Sequence, residues 1–286
     1  MRRIAGLRDL AGEYDSLLCD VWGVLHNGVA SFPGAVEALR NFRKSTGPVV
    51  LITNAPRPKA SVGEQLQRLG VPDEAYDVIV TSGDVTRNVI TPHPEVKLFH
   101  LGPERDLPLY EGLDIALVAE EEAEILCCTG LLDDTVETPD DYRALFERLI
   151  ERRLRMVCAN PDLVVERGSE LVYCAGALAR LYIELGGEAV LVGKPHAPIY
   201  VAARKQIADL GGARILAIGD GLPTDIRGAV DNDLQVLFVT GGIHAADFGD
   251  HAHPNEDRVA ARLKAEGLSA AAYIPKLVWE ERSRLP

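Results

Sequence analysis

The sequence predicts an α/β protein in which a doubly wound, parallel β-sheet carries helices on both faces. Short runs rich in Val, Ile and Leu alternate along the chain with segments of helical periodicity, and this alternation is typical of a parallel sheet that is buried on both sides. The chain has 286 residues, which is long for one compact core and suits a core domain with one inserted domain. We therefore expect two domains.

The N-terminal part contains the first group of elements. They are, in order, a strand at 16–21, a helix at 33–46, a strand at 48–53, a helix at 60–69 and a strand at 76–81. The helix at 33–46 places Ala35, Leu39 and Phe42 on one stripe, which is the spacing of a buried helical face.

A similar group follows in the C-terminal part. Its elements are a strand at 189–192, a helix at 198–210, a strand at 214–218, a helix at 223–230 and a strand at 235–239, with a last strand at 271–274. Because the two groups have the same alternation, we interpret them as halves of one sheet.

The segment between the two groups has strand and helix signals of its own. Within it, Thr138 precedes Pro139 and two aspartates, and a threonine cap, a proline at the first position and early acids all favour a helix N-terminus. The segment is long enough to form a separate domain. We assign residues 1–82 and 187–286 to the core domain and residues 83–186 to the inserted domain.

Composition excludes several classes of protein. The net charge is −13, which argues against a nucleic-acid partner because such a partner needs a basic face. There is neither a signal peptide nor a long apolar run, so we expect a cytoplasmic protein without membrane contact. The five cysteines lie mostly in apolar runs without metal-ligand spacing, which indicates buried, reduced thiols.

Reactive side chains follow four of the predicted strands. They are Asp20, Thr53 with Asn54, Lys194, and Asp220 with Asp225. Each one taken singly is more often a cap, a turn residue or a solvated charge. Ligands of a doubly wound sheet bind beyond the carboxyl ends of its strands, so the combination is far more specific than its members.

Together these side chains suit phosphoryl transfer through a covalent aspartyl-phosphate. A carboxylate such as Asp20 can attack phosphorus when a cation bridges the two anions. Asp20 and Asp220 offer the oxygen ligands that Mg²⁺ prefers, and Asp225 would bind the ion or orient its shell. Lys194 would neutralise the transferring oxygens, while Thr53 and Asn54 would donate hydrogen bonds to them.

Four motifs carry a resemblance to a known superfamily. DVWGVLHNG, LITN, VGKP and GDGLPTDIRGA resemble, in order and spacing, the motifs of the haloacid dehalogenase-like (HAD) superfamily. CANPD together with VGKP resembles class IIA, the NagD-like sugar and nucleotide phosphatases. The resemblance spans most of the chain and is weakest within 83–150 and after residue 245.

The resemblance implies a Rossmann-like core with an inserted α/β cap domain of the class IIA type, which selects the substrate. By position, it implies that Asp20 is the nucleophile, Thr53 and Lys194 bind the phosphate, and Asp220 and Asp225 bind Mg²⁺. It further implies that the backbone carbonyl of Trp22 completes the metal shell, that Gly23 belongs to the phosphate-binding loop, and that caps pair in a homodimer.

Trp22 is a departure from the implied pattern. Phosphatases of this family carry an aspartate two residues after the nucleophile, which protonates the leaving group, and an indole cannot transfer protons. General acid–base help is typically worth ~10²- to 10⁴-fold in rate. Either the leaving group needs little protonation, or another side chain replaces the acid, or catalysis is weak and ligand binding is the real task.

His26 is the nearest candidate for a substitute acid or base, because it lies in the same loop and titrates near neutrality. The alternative, which we prefer, is that His26 only shapes the loop. Dehalogenation ranks below phosphate chemistry, because displacement of a halide from carbon would gain nothing from the magnesium site that the retained acids Asp220 and Asp225 suit. Phosphonate hydrolysis also ranks lower, since its relatives use a cap lysine and residues 83–185 contain only Lys97.

Arg167 in the inserted segment could contact a second anionic group of the substrate through its fork of donors, although a solvated loop arginine is at least as common. The leading hypothesis is an Mg²⁺-dependent phosphatase of a small phosphorylated metabolite, such as a sugar phosphate or nucleotide. The second is a phospho-ligand binding or regulatory protein on a hydrolase scaffold.

Overall fold

The computed structural model describes residues 1–167 and 170–280. Two compact units are present. The core unit comprises Met1–Thr53, Gly63–Val80 and the chain from Tyr200 onward, and the inserted unit comprises Asn54–Val62 and Thr81–Ile199.

The strands are β1 (Arg2–Arg3), β2 (Ser16–Asp20), β3 (Val49–Thr53), β4 (Val78–Thr81), β5 (Val96–Leu101), β6 (Ile115–Leu117), β7 (Ile125–Cys128), β8 (Arg155–Cys158), β9 (Val164–Arg167), β10 (Glu170–Tyr173), β11 (Ala189–Leu191), β12 (Ile215–Gly219), β13 (Gln235–Val239) and β14 (Ala272–Ile274). The helices are α1 (Pro33–Ser45), α2 (Lys59–Arg68), α3 (Ser82–Val89), α4 (Arg143–Glu151), α5 (Ala175–Glu184), α6 (Ala197–Asp209), α7 (Arg227–Asp231) and α8 (Glu256–Ala265).

The core unit is built on a seven-stranded sheet with the order β1-β14-β13-β12-β2-β3-β4. The pairs of β2 with β3 and with β12 are parallel, as are those of β13 with β12 and with β14. From β2 the chain first proceeds toward β4, and it later returns to the other side of β2 through β12. The order therefore reverses between β2 and β12, and ligands of doubly wound sheets bind at such a switch point. The predicted doubly wound fold is confirmed.

Buried apolar side chains explain why these segments form strands and helices. Every residue of β2 and of β3 is buried, as expected for central strands that are covered on both faces. Helix α1 begins with Pro33 at its first turn and buries Leu39 and Phe42, because Pro is pre-organised at that position and the two apolar residues share one face.

The inserted unit has a five-stranded sheet with the order β11-β8-β7-β5-β6, whose pairs are all parallel. An antiparallel pair, β9 with β10, follows β8. The predicted helix start at Thr138 is confirmed: Thr138 and Asp141 form a capping box before a short 3-10 helix, which leads into α4.

One strand was assigned to the wrong sheet. From the sequence we expected 189–192 among the strands of the core sheet, whereas β11 pairs with β8 in the inserted unit. A short apolar run indicates a strand but carries no information on its partner, which here lies about 30 residues upstream. The inserted unit accordingly continues to Ile199, beyond the expected last residue 186.

The cysteines are all buried and free, as the sequence analysis expected. Among the described residues, we find no helix of the length and apolar character that crossing a membrane requires.

Candidate active site

Two carboxylates flank the switch point of the core sheet. Asp20 is the last residue of β2, and Asp220 directly follows β12. Because β2 and β12 are parallel neighbours, their carboxyl ends meet at the same edge of the sheet. Both side chains are only 5% exposed, so these charges lie inside the protein and need counter-charge.

Asp225 reaches the same place through a tight turn. Residues Leu222–Ile226 form a π-helical turn before α7, and the Asp225 side chain accepts a hydrogen bond from the Gly221 N–H at 3.0 Å. A Cβ at Gly219 would lie 2.2 Å from the Asp225 Cβ, so only glycine at the end of β12 lets Asp225 fold back against the strand.

Asp220 is held by a backbone donor and two glycines. The Ile243 N–H donates to Asp220 Oδ2 at 2.8 Å. A Cβ at Gly242 would lie 1.9 Å from Oδ2, and one at Gly23 would lie 2.3 Å from it. Gly23 also has φ of +83°, a conformation that favours glycine. The carboxylate therefore sits in a cradle that larger residues would fill.

The three carboxylates form a group that fits a metal ion. Ligand oxygens of Asp20, Asp220 and Asp225 all lie within 4.8 Å of one another. Buried like charges at this separation repel strongly, and a divalent cation offsets that repulsion. Carboxylate oxygens are hard ligands of the kind that Mg²⁺ prefers. The geometry fits a cation here, and the three carboxylates are those that the sequence indicated at the strand ends; the Trp22 carbonyl stays a predicted ligand.

Thr53 lies next to this group in the sheet. It is the last residue of β3 and is buried, and its neighbour Ile52 pairs with Asp20 in the parallel register. The strand ends thus bring the Thr53 position alongside the Asp20 position, as the sequence analysis predicted.

The loop after Asp20 is organised around Trp22. The indole lies 5.0 Å from the His26 ring in an edge-on arrangement. A Cβ at Gly28, where φ is +83°, would lie 2.6 Å from the Trp22 ring, so the ring packs directly on the glycine backbone. His26 is buried, and its Nδ1 accepts the Gly28 N–H at 3.0 Å. Trp22 and His26 are thus integral parts of one loop structure.

Asn54 and Lys194 belong to the inserted unit. The Asn54 amide donates to the Lys194 carbonyl at 3.1 Å and to Asp162 Oδ1 at 2.9 Å, and its own oxygen accepts the Lys194 N–H at 2.6 Å. Both donors of the amide are therefore engaged. The Asn54 side chain thus holds the Lys194 backbone in place, and its contact with a phosphate stays a prediction. The Lys194 side chain is itself buried.

Arg167, the predicted contact for a second anionic group, forms a two-pronged ion pair within the inserted unit. Its two terminal nitrogens donate to the two Asp134 oxygens at 2.8 and 2.7 Å. Arg105 donates to the same carboxylate at 2.6 Å, and the two arginines hold the pKa of Asp134 at about 2. A ligand anion would have to compete with Asp134 for Arg167.

Sequence reasoning missed the contribution of the loop after β13. Gly242 and Ile243 belong to the segment TGGIH, and together they shape the position of Asp220. The available signal was the pair Gly241 and Gly242 one residue after a predicted strand, which often indicates close approach of backbone and a functional group.

The fold and the three-carboxylate site define a class of protein. Residues 17–116 match the family model of haloacid dehalogenase-like hydrolases, and residues 191–265 match the HAD-hydrolase-like model. A crystal structure of a haloacid dehalogenase-like hydrolase from Brucella suis 1330 is 48% identical and covers 97% of this chain and 100% of its own, with a TM-score of 0.85. The chain belongs to the haloacid dehalogenase-like hydrolase family.

Several relatives of this chain have names that state an activity. The acid sugar phosphatase of Staphylococcus saprophyticus is 23% identical over 81% of this chain and 88% of its own length. The ribonucleotide monophosphatase NagD of Escherichia coli is 24% identical over 81% of this chain and 90% of its own. A glycerol phosphate phosphatase from Mycobacterium tuberculosis, solved in complex with magnesium, is 25% identical over 82% of this chain and 70% of its own, with a TM-score of 0.64.

These relatives confirm the NagD-like resemblance that the sequence motifs indicated. They are named as phosphatases, in agreement with the expected class of enzyme, a phosphoric monoester hydrolase.

Proposed function

We propose that the chain is an Mg²⁺-dependent phosphatase of a small phosphorylated metabolite, such as a sugar phosphate or nucleotide, with Asp20 as nucleophile. The observation that carries this proposal is the group of three buried carboxylates at the switch point, with ligand oxygens within 4.8 Å of one another. A divalent cation would offset the repulsion within such a group, and a carboxylate beside a cation is suited to attack phosphorus.

The side chains would divide the work as follows. A bound Mg²⁺ ion would offset the charge of the carboxylates and of the substrate phosphate. Asp20, Asp220, Asp225 and the Trp22 carbonyl would hold this ion. A second oxygen of Asp20 attacks phosphorus, the bond to the leaving group breaks, and an aspartyl-phosphate forms. Water then attacks phosphorus and restores the Asp20 carboxylate.

Phosphate oxygens need further partners during this transfer. We assign the Thr53 hydroxyl and the Gly23 backbone as hydrogen-bond donors, and the Lys194 ammonium as the neutralising charge, because preorganised donors stabilise developing negative charge. We assign the choice of substrate to the inserted unit, with Arg167 as a candidate contact once Asp134 is displaced. Pairing of two chains through that unit is part of the proposal.

Trp22 favours a second candidate function, the binding of a phosphorylated ligand without turnover. The side chain at this position carries no transferable proton. A protein that binds phosphate through the same residues and releases it unchanged would be a regulatory or carrier protein.

Hydrolysis of 4-nitrophenyl phosphate distinguishes the two candidates, because its phenolate leaves without a proton donor. We expect Mg²⁺-dependent release of 4-nitrophenolate by the parent protein and its loss in Asp20→Asn. The exposed aspartate variant Asp209→Asn serves as a control, since that side chain lies outside the site and is 59% exposed. Phosphate binding by calorimetry without turnover in any variant would favour the binding protein instead.

A further inference from the structure

Trp22 is built firmly into the loop that follows the nucleophile. Its ring contacts the His26 ring and packs on Gly28, where a side chain could not be accommodated. The Gly23 N–H, directly after Trp22, donates to the His26 carbonyl at 2.8 Å. An indole held in this way has a fixed place in the loop that follows Asp20, and it occupies the sequence position from which an aspartate would supply the proton.

Few of the side chains named for this site can donate a proton to a leaving group. Asp20, Asp220 and Asp225 are close enough to share one cation, and carboxylates that ligate a cation have no proton to give. An indole N–H donates hydrogen bonds without transferring its proton. The His26 Nδ1 accepts the Gly28 N–H, so a neutral His26 carries its proton on Nε2, and His26 is the alternative donor that the test has to exclude.

The acidity of the leaving group then decides which substrates react. When Asp20 attacks phosphorus, the bond between phosphorus and the leaving oxygen breaks with both electrons going to that oxygen. An alkoxide needs a proton at this moment, whereas a carboxylate, enolate, phenolate or phosphate leaves as a stable anion. The loss of general acid help, worth ~10²- to 10⁴-fold, therefore matters more as the leaving oxygen becomes more basic: least for 4-nitrophenolate, more for phenolate and most for an alkoxide.

Resting on the phosphatase function proposed above, we propose that the site accepts phosphoryl groups on acidic leaving groups. These are acyl, enol and aryl phosphates and phosphoric anhydrides. Among sugar phosphates and nucleotides, the site therefore selects those whose phosphate is joined through an acyl, enol or anhydride oxygen, and it turns over phosphate esters of ordinary alcohols poorly.

The second step has a related consequence. Water attacks the aspartyl-phosphate, both of its protons leave with the product as dihydrogen phosphate, and the electrons of the breaking bond return to the Asp20 carboxylate. Because the indole of Trp22 cannot act as a base toward this water, the step is slower than transfer from a good leaving group. The phosphorylated enzyme accumulates, and good substrates share one kcat because they share this intermediate.

The test compares matched substrates on the full-length parent protein with Mg²⁺. Phenyl and 4-nitrophenyl phosphate have nearly the same shape but leaving groups of different acidity, and glycerol phosphate represents an alcohol ester. We expect kcat/KM to favour 4-nitrophenyl over phenyl phosphate strongly and to be lowest for glycerol phosphate. We also expect a burst of 4-nitrophenolate and one kcat for 4-nitrophenyl and acetyl phosphate.

Variants at Trp22 separate chemistry from packing. Trp22→Asp should raise kcat/KM for glycerol phosphate by ~10²- to 10⁴-fold and reduce the preference for the 4-nitrophenyl ester. Trp22→Phe, which offers no proton, should retain that preference. If Trp22→Asp does not fold by circular dichroism, the substrate series on the parent protein decides.

Three results would overturn the inference. Equal kcat/KM for phenyl and 4-nitrophenyl phosphate in the parent would do so and would leave the phosphatase function standing. A selective loss of glycerol phosphate turnover in His26→Gln, or in His244→Gln next to Ile243 in the loop after β13, would identify a histidine as the donor. Absence of any Mg²⁺-dependent turnover, even with acetyl phosphate, would overturn the proposed function as well.

Discussion

Replacing Gly242 by alanine should disable the metal site while leaving the fold intact. Gly242 lies outside every predicted motif, and its backbone passes directly over the Asp220 carboxylate. The added Cβ would lie 1.9 Å from Asp220 Oδ2 and 2.5 Å from the Asp220 Cγ. Real Cβ atoms essentially never come within 3.0 Å of another group, so the carboxylate or the loop must move by about 1 Å.

The size of the effect follows from that displacement. A misplacement of about 1 Å in a reacting constellation can cost ~10²-fold in rate. Loss of a group that orients a metal ligand typically costs ~10- to 100-fold in metal affinity. We therefore expect the Mg²⁺ concentration for half-maximal activity to rise ~10- to 100-fold and kcat/KM at fixed Mg²⁺ to fall ~10²-fold.

The measurement is a titration of 4-nitrophenyl phosphate hydrolysis with MgCl₂, combined with thermal unfolding. Gly12→Ala is the matched control, because a Cβ at Gly12 meets nothing within 4 Å, and it should keep the parent Mg²⁺ dependence. A Gly242→Ala protein with the parent Mg²⁺ dependence and the parent rate would refute the assignment of Asp220 to the metal site.

Three further predictions concern stability. Gly28→Ala should lower the midpoint of thermal unfolding of the core unit and reduce activity, since the new Cβ would lie 2.6 Å from the Trp22 ring in a backbone with φ of +83°; unchanged values for both would contradict the packing described. Burial raises the pKa of Asp106 from 3.8 to about 6, so between these pH values the folded protein keeps a proton that the unfolded chain has lost. The free energy of unfolding should therefore fall by about 2 to 3 kcal/mol as the pH rises from about 4 to about 6. Urea unfolding across this range should show that slope in the parent and a flatter profile in Asp106→Asn. Arginine neighbours hold the pKa of Asp134 at about 2, so the stability that this carboxylate contributes is complete above about pH 4 and is lost as the pH falls toward about 2. Asp134→Asn should lower the free energy of unfolding by about 1 to 2 kcal/mol at neutral pH, a figure reduced because Arg167 and Arg105 are partly exposed. An unaltered urea midpoint would argue against this contribution.

Local sequence patterns predicted the elements of the fold well. The strands β2, β3, β12, β13 and β14 lie where apolar runs indicated them, and α1 begins at Pro33 as expected. These signals are local, because burial of both faces and the constraints of a helix N-terminus act within a few residues. The partner strand of β11 could not be predicted in this way, because strand pairing depends on distant parts of the chain and the apolar run of β11 carries no information about them.

The sequence indicated that the acidic side chains cluster at one edge of the sheet, but it did not indicate the backbone that surrounds them. The strand-end rule placed Asp20, Asp220 and Asp225 at one edge, and the structure brings their oxygens within 4.8 Å. The rule could not assign the hydrogen bonds of Asn54, whose amide is used to hold the Lys194 backbone. The strand-end rule also did not identify Gly242, because the rule considers reactive side chains, whereas Gly242 acts through the close approach of its backbone to Asp220.

The position of β2 in the sheet has a consequence for biosynthesis. This strand lies between β3 and β12, but β12 leaves the ribosome only after the whole inserted unit has been translated. Until then one edge of this apolar strand has no partner strand in the nascent chain, and an unpaired strand edge is a template for aggregation. The inserted unit can fold during this interval, because all strands of its own sheet precede β12. The reaction centre is completed late in translation, so a ribosome-bound fragment that ends before residue 215 would carry Asp20 without its two partner acids.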